Sequence, residues 1–249
     1  MKATLVHRIL WIAALLLSLT SCRKDSESVE TGRGGSMARF TVKGNYLYAV
    51  DIEKLSTFKI DNPQDVNRLN VQYLGFGVET IYPEGDNLFI GDQNGMHIYS
   101  IVNPERPEKK SFTPHFRSYD PVVVQGNYAY VTLRTGEGLS SGVNALYIFN
   151  ISNIYNPQRV KEYAMTNPRG LGIDGNLLFV CDAGLKVFQV SNGVDLTLLQ
   201  SFNIPAIDVI PDNPYLYVVT EQGLAQYKYE NNNLILLSQL GMGTNMMRK

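Results

Sequence analysis

The sequence is poor in cysteine, tryptophan, histidine and charge. It has two Cys, one Trp and three His among 249 residues, and only 18% of its residues are Asp, Glu, Lys or Arg. Two cysteines exclude a disulfide-rich scaffold, and three histidines without a Cys-x-x-Cys pair argue against a zinc centre. The chain has 22 basic and 23 acidic residues, which gives a net charge of −1. It therefore lacks the excess of basic residues expected of a nucleic-acid binder.

Long hydrophobic runs are also missing, apart from one near the N-terminus. Lys2 and Arg8 precede an apolar run from Ile9 to Leu17, which small residues follow. The run is too short to span a bilayer comfortably, and this order of charge, apolar run and small residues is typical of a secretory signal. An uncleaved anchor helix is the alternative.

The end of this signal resembles the lipobox of bacterial lipoproteins, because Leu19-Thr20-Ser21-Cys22 places a Leu three residues before a Cys. The resemblance implies a lipoprotein signal peptide at 1–21 and a lipidated Cys22. It also implies export and anchoring to a bacterial membrane, for which we expect the outer membrane, on its periplasmic or surface side. Residues 22–36 are polar and end in glycines, which predicts a tether. Cys181 lies in an apolar strand pattern, which predicts a buried, unreactive thiol.

Glycine, tyrosine and phenylalanine are plentiful and recur in a repeat. Five segments pair Gly with Asn, or Asp with Asn in the fifth, ahead of an aromatic and aliphatic run; they begin at Gly44, Gly85, Gly126, Gly175 and Asp212. Each run is followed by a second strand pattern and then by an Asn-rich turn. Gly and Asn accept positive φ and Pro presets a turn, so these breaks predict strand ends.

Four short strands about every ~41 residues, without a helical period, predict an all-β fold: a five-bladed β-propeller of four-stranded antiparallel blades. The propeller is predicted at 37–240, with blades at about 37–77, 78–118, 119–168, 169–205 and 206–240 and a C-terminal tail at 241–249. A β-sandwich is the alternative, but it does not explain five segments in phase. An open solenoid would need polar caps that the sequence does not show.

Two of these repeats resemble the LVIVD repeat, a tandem unit of exported and surface propeller-like proteins of bacteria and archaea. They are the strings from Gly184 to Asn192 and from Met96 to Pro104. The resemblance covers most of 37–240 and implies the propeller fold and a role in adhesion or scaffolding, with no catalytic residues to transfer. The chain departs from the family at its acidic motif position, which is occupied by Lys59, Ser100, Asn150 and Gln189.

Because strands in a blade alternate in direction, the loops divide between two faces. The Gly-Asn and Asn-Pro turns share one face and are nearly identical, which indicates a structural role. The other face carries the loops that differ between repeats, and such loops on a rigid scaffold usually bind ligands. The predicted binding residues on that face are His115, Phe116, Arg117, Tyr119, Asp120, Arg134, Glu137 and Arg169. Alternatively, Phe116 and Tyr119 wedge between blades.

Catalytic and cofactor motifs are absent from the sequence. No Gly-x-Ser-x-Gly, phosphate-binding Gly-Lys-Ser, dinucleotide fingerprint or Asp-x-Asp-x-Asp spacing occurs, so we predict no cofactor, no metal and no catalytic residue. The sequence favours a membrane-tethered, non-enzymatic binding or scaffold module for a protein or a glycan, without nucleic acid. The alternative is a glycan-active hydrolase or lyase with acids at the channel mouth, drawn from Glu79, Asp120, Glu137 and Asp208.

Overall fold

The computed structural model describes residues 34–115, 121–135 and 143–241. These residues form twenty strands and five four-stranded antiparallel sheets, and within each sheet the strands pair in sequence order. The sheets are arranged in a ring, which confirms the five-bladed β-propeller. The described part of the chain contains no helix with the length and hydropathy of a membrane span.

Each blade runs from an inner strand beside the central channel to an outer strand. Blade 1 contains β1 (Phe40–Lys43), β2 (Tyr46–Val50), β3 (Lys54–Lys59) and β4 (Asn67–Tyr73); blade 2 contains β5 (Val78–Glu84), β6 (Asn87–Asp92), β7 (Gly95–Ser100) and β8 (Glu108–Pro114). Blade 3 contains β9 (Val122–Gln125), β10 (Tyr128–Leu133), β11 (Ala145–Asn150) and β12 (Gln158–Ala164). Blade 4 contains β13 (Pro168–Asp174), β14 (Leu177–Asp182), β15 (Leu185–Ser191) and β16 (Asp195–Phe202); blade 5 contains β17 (Ala206–Asp212), β18 (Tyr215–Thr220), β19 (Gly223–Glu230) and β20 (Asn233–Gly241).

The turns between the first two strands follow the predicted chemistry in four blades. Gly44, Gly85, Gly126 and Gly175 all have φ between 52° and 59°, in the left-handed region that glycine adopts without strain. In the fifth blade Asp212-Asn213-Pro214 takes the place of this turn. Every blade also has a register shift between its third and fourth strands, as at Thr57/Phe58 in blade 1.

The core lies between successive blades because side chains alternate across each strand. In β10, Ala129 and Val131 pack in a cluster shared with blade 2, while Tyr130 between them packs in a cluster shared with blade 4. Two further buried clusters join blade 1 to blade 2 and blade 4 to blade 5. The middle strands of blades 2 to 4 therefore read as nearly continuous apolar runs.

A short segment before β1, Gly34–Ala38, crosses the centre of the ring; we call it the strap. The Ser36 hydroxyl donates to Asp208 Oδ1 of blade 5 at 2.9 Å and accepts from the Leu171 amide of blade 4 at 2.8 Å. Ile81 of blade 2 donates its amide to the Ala38 carbonyl at 2.9 Å. Gly35 and Ser36 are buried against the propeller, whereas Gly34 is exposed.

Candidate functional site

The strand order creates the two predicted faces. We call the face formed by the links from the second to the third strand, and from each blade to the next, the loop face. The opposite face, where the inner strands end in the Gly-Asn turns, is the turn face. Each face carries a cavity between inner-strand ends, and a third cavity lies near the rim between blades 2 and 3.

Three of the predicted binding residues lie within the described part of the chain. They are His115, Arg134 and Arg169. The structure places His115 and Arg169 in separate cavities, so it does not bring them together at one site. The remaining predicted residues, with the lipidation candidate, lie outside the described residues: Phe116, Arg117, Tyr119, Asp120, Glu137 and Cys22.

The loop-face cavity lies between blades 4 and 5 and has a volume of about 360 Å³. Arg169, on β13, lines it, and the Arg169 backbone is fixed because its carbonyl accepts the Thr132 hydroxyl at 2.6 Å. The guanidinium is one-third exposed and makes a loose ion pair, 3.9 Å from Nη1 to Oε1 of the mostly exposed Glu221. The amide side chains of the lining come from Asn167, Asn203 and Gln222. Among the described residues, the lining of this recess combines one cation with three side-chain amides.

Cys181 belongs to the wall of the same cavity but is only 1% exposed. Burial raises the pKa of its thiol well above the ordinary value, and the Asp208 carboxylate adds to this effect while Arg169 opposes it. A thiol that is both buried and protonated is a poor nucleophile. Cys181 therefore contributes packing to this cavity and no covalent chemistry.

The rim cavity, of about 460 Å³, is lined by His115 with Thr113 and Pro114 of blade 2, and by the outer strands of blade 3. Arg159 stacks over the Tyr147 ring at 4.4 Å and pairs with Glu162 at 3.3 Å. Because both the face and the edge of this guanidinium are engaged, Arg159 is less available than Arg169 to a ligand.

The turn-face cavity has a volume of about 370 Å³ and was not expected from the sequence. Its walls are the ends of the inner strands of blades 2 to 5, and Gly34 of the strap lies in its lining. Two carboxylates reach it, Glu84 from β5 and Asp174 from β13. Partial burial raises the pKa of Glu84, against the Gly126 backbone hydrogen bond and the Lys43 charge, which lower it.

One sequence signal could have found this cavity. The residue just before the turn glycine is Lys43, Glu84, Gln125 and Asp174 in the first four blades, so a polar position varies inside a conserved turn pattern of this chain's own repeats. Glu84, Gln125 and Asp174 line the turn-face cavity, so variation at this position changes the lining from blade to blade.

The candidate catalytic acids are engaged where they are described. Asp208 is 7% exposed and accepts hydrogen bonds from Ser36 Oγ and from the Met37 and Val209 amides. Glu79 accepts from Gln93 Nε2 at 3.0 Å. The other two candidates, Asp120 and Glu137, lie outside the described residues. The structure therefore assigns Asp208 to holding the strap.

The aspartates that recur at the end of the second strand in blades 1, 2 and 4 organise loops. Asp51 Oδ1 accepts hydrogen bonds from the amides of Glu53 and Lys54, and Asp92 Oδ1 accepts one from the amide of Asn94, so both aspartates cap their own turns. The buried Asp182 differs, because its Oδ1 accepts the amides of Thr166 and Asn167 in the preceding crossover loop. Asp182 thereby shapes the entrance to the loop-face cavity.

His97 is a buried core residue of blade 2. Its ring lies 4.5 Å from that of Phe112, and its Nε2 is 3.5 Å from Asp92 Oδ2. Burial lowers the pKa of His97, assisted by Lys109 and opposed by Asp92. Among the described residues no three or more His, Cys, Asp or Glu side chains gather as a metal site would require.

Comparisons with known proteins agree with the fold. The LVIVD repeat model matches residues 117–164, which confirms the predicted resemblance over the third blade. No curated protein sequence matches the chain. Among solved structures it is similar to a protein from Lactobacillus plantarum, with 16% identity, a TM-score of 0.63, and coverage of 78% of this chain and 67% of that one.

Two further structures show the same likeness. The periplasmic gluconolactonase of Pseudomonas aeruginosa aligns at 15% identity and a TM-score of 0.62, over 81% of this chain and 68% of that one. A functionally unknown protein from Desulfotomaculum acetoxidans aligns at 14% identity and a TM-score of 0.65, over 86% of this chain and 70% of that one. At these identities the likeness is one of fold.

Proposed function

We propose that the protein is a non-enzymatic binding module that holds a glycan or a protein on its loop face. The observation that carries the proposal is the Arg169 cavity. Its volume of about 360 Å³ falls within the ~300–1,000 Å³ of small-ligand sites. A recess of this size takes one sugar residue or one peptide side chain, so the remainder of a larger partner rests on the surrounding loops.

The chemistry of the lining favours an acidic sugar residue of a glycan. Among the described residues, the Arg169 guanidinium has one ion pair, whose 3.9 Å separation is too long for a hydrogen bond, and a planar guanidinium can bind a carboxylate with two parallel bonds. The amides of Asn167, Asn203 and Gln222 can donate to and accept from hydroxyl groups. The Thr132 hydroxyl holds the Arg169 backbone, which fixes the point at which this side chain leaves β13.

Glycan binding by matched variants tests this proposal. Arg169→Gln removes the charge in the loop-face cavity, and Arg159→Gln removes an Arg from the rim cavity as a control. A charge-assisted hydrogen bond contributes ~1.5–3 kcal/mol, so we expect Arg169→Gln to weaken binding to an acidic glycan by about tenfold or more. Arg159→Gln should bind as the wild type does.

The readout is binding of the exported domain to immobilised glycans, with free glucuronate and free glucose as competitors. Competition by glucuronate but not by glucose supports recognition of a sugar carboxylate at this site. Equal binding by the wild type and Arg169→Gln contradicts the assignment, and a loss confined to Arg159→Gln moves the site to the rim.

We further propose that Cys22 anchors the module to a membrane of the bacterial envelope through attached acyl chains. One acyl chain binds membranes only marginally, whereas two or three anchor a protein stably. The test is metabolic labelling of cells with a fatty-acid analogue. Label should enter the wild type and be lost in Cys22→Ser; equal label in both contradicts lipidation at this residue.

A hydrolase remains the second candidate because one similar structure is a gluconolactonase. It would need a free carboxylate, and Asp208 is already engaged by the strap. Cleavage of a lactone or glycosidic bond would therefore depend on another acid, and Glu137→Gln is the variant that tests this. Turnover by the wild type that disappears in Glu137→Gln would replace the binding module with an enzyme.

A further inference from the structure

The outer strand of blade 5, β20, differs in charge from the outer strands of the other four blades. β4, β8, β12 and β16 each contain at least one Asp, Glu, Lys or Arg, whereas β20 contains none between Asn233 and Gly241. With nine residues it is also the longest of the twenty described strands. Charges on an edge strand discourage pairing with another chain, so β20 lacks a protection that the other outer strands have.

The apolar side chains of β20 are open to solvent. Ile235, Leu236, Leu237 and Leu240 are between 48% and 71% exposed. The outer strand of blade 1 also has exposed apolar residues, but they accompany Arg68. The outer strands of blades 2 to 4 each have one large hydrophobic residue of similar exposure, namely Phe112, Val160 and Leu198. In β20 the four aliphatic residues at 234–237 are consecutive, so both sides of the strand are apolar there.

The backbone of β20 is paired on one side. It pairs with β19 along its whole length, from Asn233 to Gly241, and it ends the sheet order β17-β18-β19-β20. Among the described strands none pairs with its other side. Every second residue of an antiparallel edge strand directs its N–H and C=O groups outward, so this edge can extend the sheet by one more strand.

The absence of charge favours a second copy of β20 as the added strand. When two copies of a strand pair antiparallel about a twofold axis, the residue on the axis lies opposite itself. A charged residue near the axis would therefore oppose a like charge, which destabilises a sheet. β20 has no such residue, and the aliphatic block 234–237 of one copy would cover the same block of the other.

We propose that β20 is a dimerisation edge, at which two copies of this protein pair antiparallel. The two fifth blades then form one eight-stranded sheet, with four strands from each copy. A twofold contact uses the edge of both copies, so association stops at the dimer. Because β20 contributes no residue to the loop-face cavity, the dimer does not rest on the proposed function.

Sedimentation velocity over a wide range of protein concentration tests the proposal on the purified full chain, in a detergent that covers its apolar N-terminal run. We expect a reversible change from monomer to dimer as the concentration rises. Leu236→Lys should weaken the dimer at least tenfold, because the two lysines lie directly opposite each other or on the diagonal. Leu198→Lys is the matched control, since Leu198 on β16 is 52% exposed and Leu236 is 53% exposed. This control should dimerise as the wild type does.

Mixing two variants identifies the partner strand. Leu236→Lys and Leu236→Glu should each be monomeric at a concentration at which the wild type is dimeric. Their equimolar mixture should regain the dimer, because opposite charges then face each other across the axis. Near-ultraviolet circular dichroism checks that each variant is folded.

Four results overturn the proposal. A wild type that is monomeric at every concentration leaves this edge to a strand of another protein. Dimerisation of Leu236→Lys as tight as that of the wild type places the contact elsewhere in the chain. A mixture of the two variants that stays monomeric contradicts pairing of β20 with its own copy, and association beyond the dimer contradicts the twofold contact.

Discussion

At the scale of single residues, Asp208 shows how the centre of the ring is organised. Its carboxylate receives three hydrogen bonds while nearly fully buried, and two glycines make room for it. An added Cβ would lie 2.1 Å from Asp208 Oδ2 at Gly35 and 2.2 Å from Oδ1 at Gly170. These glycines are needed for space rather than for an unusual φ.

The pH dependence of stability should report the state of Asp208. Burial raises its pKa, although the donors from Met37, Ser36 and Val209 act in the opposite direction. A folded pKa above the unfolded one means that the native state binds the proton more readily. Stability from this group therefore rises as pH falls through the raised pKa toward the ordinary value of 3.8, and it declines as pH rises.

We compare the wild type with Asp208→Asn, which cannot titrate, by urea unfolding at pH 7.5 and pH 4.5. The wild type should gain unfolding free energy relative to Asp208→Asn when the pH is lowered from 7.5 to 4.5. Because every other titrating group is shared, it cancels in the difference. A difference that is constant, or that moves in favour of Asp208→Asn at pH 4.5, contradicts a raised pKa.

Residues also show what the sequence could not reveal. The sequence suggested Asp208 as a catalytic acid, since an isolated Asp in a strand pattern carries no sign of its partners. Its partner Ser36 lies 172 positions away, and no local pattern connects the two. The caps of Asp51 and Asp92, by contrast, are encoded locally, because their partners are two or three residues away.

At the scale of elements, the strand repeat was predictable and the strap was not. Gly-Asn turns and alternating apolar runs encode each strand locally, and the structure has all twenty. The strap contains Gly34, Gly35 and Ser36, whose composition is that of a linker. It is ordered by three blades through hydrogen bonds, which composition does not encode.

The strap can be tested at Ser36. Ser36→Ala removes the donor to Asp208 and leaves the buried Leu171 amide without its acceptor, so we expect a loss of ~1–3 kcal/mol in the free energy of unfolding. Ser238→Ala is the matched control, since Ser238 is exposed on β20 and its change should stay within about 0.5 kcal/mol. Similar losses of unfolding free energy in both variants would contradict a specific stabilising role for Ser36.

At the scale of the whole molecule, stability depends on the interfaces between blades. Four buried apolar clusters join successive blades, and the strap connects blades 2, 4 and 5 through the centre. The cavities follow from the same assembly, because each is lined by two or more blades. A sequence reading could place loops on faces but could not assemble pockets from segments more than 100 residues apart.

Cys181 reports on one of these interfaces, because it is part of the cluster between blades 4 and 5. In a Cys22→Ser background, native Cys181 should react with a thiol reagent roughly a thousandfold more slowly than in urea, since only the rare unfolded state exposes it. Mass spectrometry gives the rate, and an added exposed thiol, Ser238→Cys, should react at once. Rapid labelling of native Cys181 would show that this interface opens without global unfolding.

The strap also sets an order of folding. Ser36 precedes its partners, Leu171 in blade 4 and Asp208 in blade 5, by 135 and 172 positions in the chain. Contacts of such long sequence separation form late, because the intervening chain must be arranged first. The blades can therefore fold one after another through local hairpins, while the N-terminal segment is secured only after the last blade exists. A chain that stops short of blade 5 has no Asp208 to accept the Ser36 hydrogen bond, so the centre of the ring can close only once blade 5 has formed.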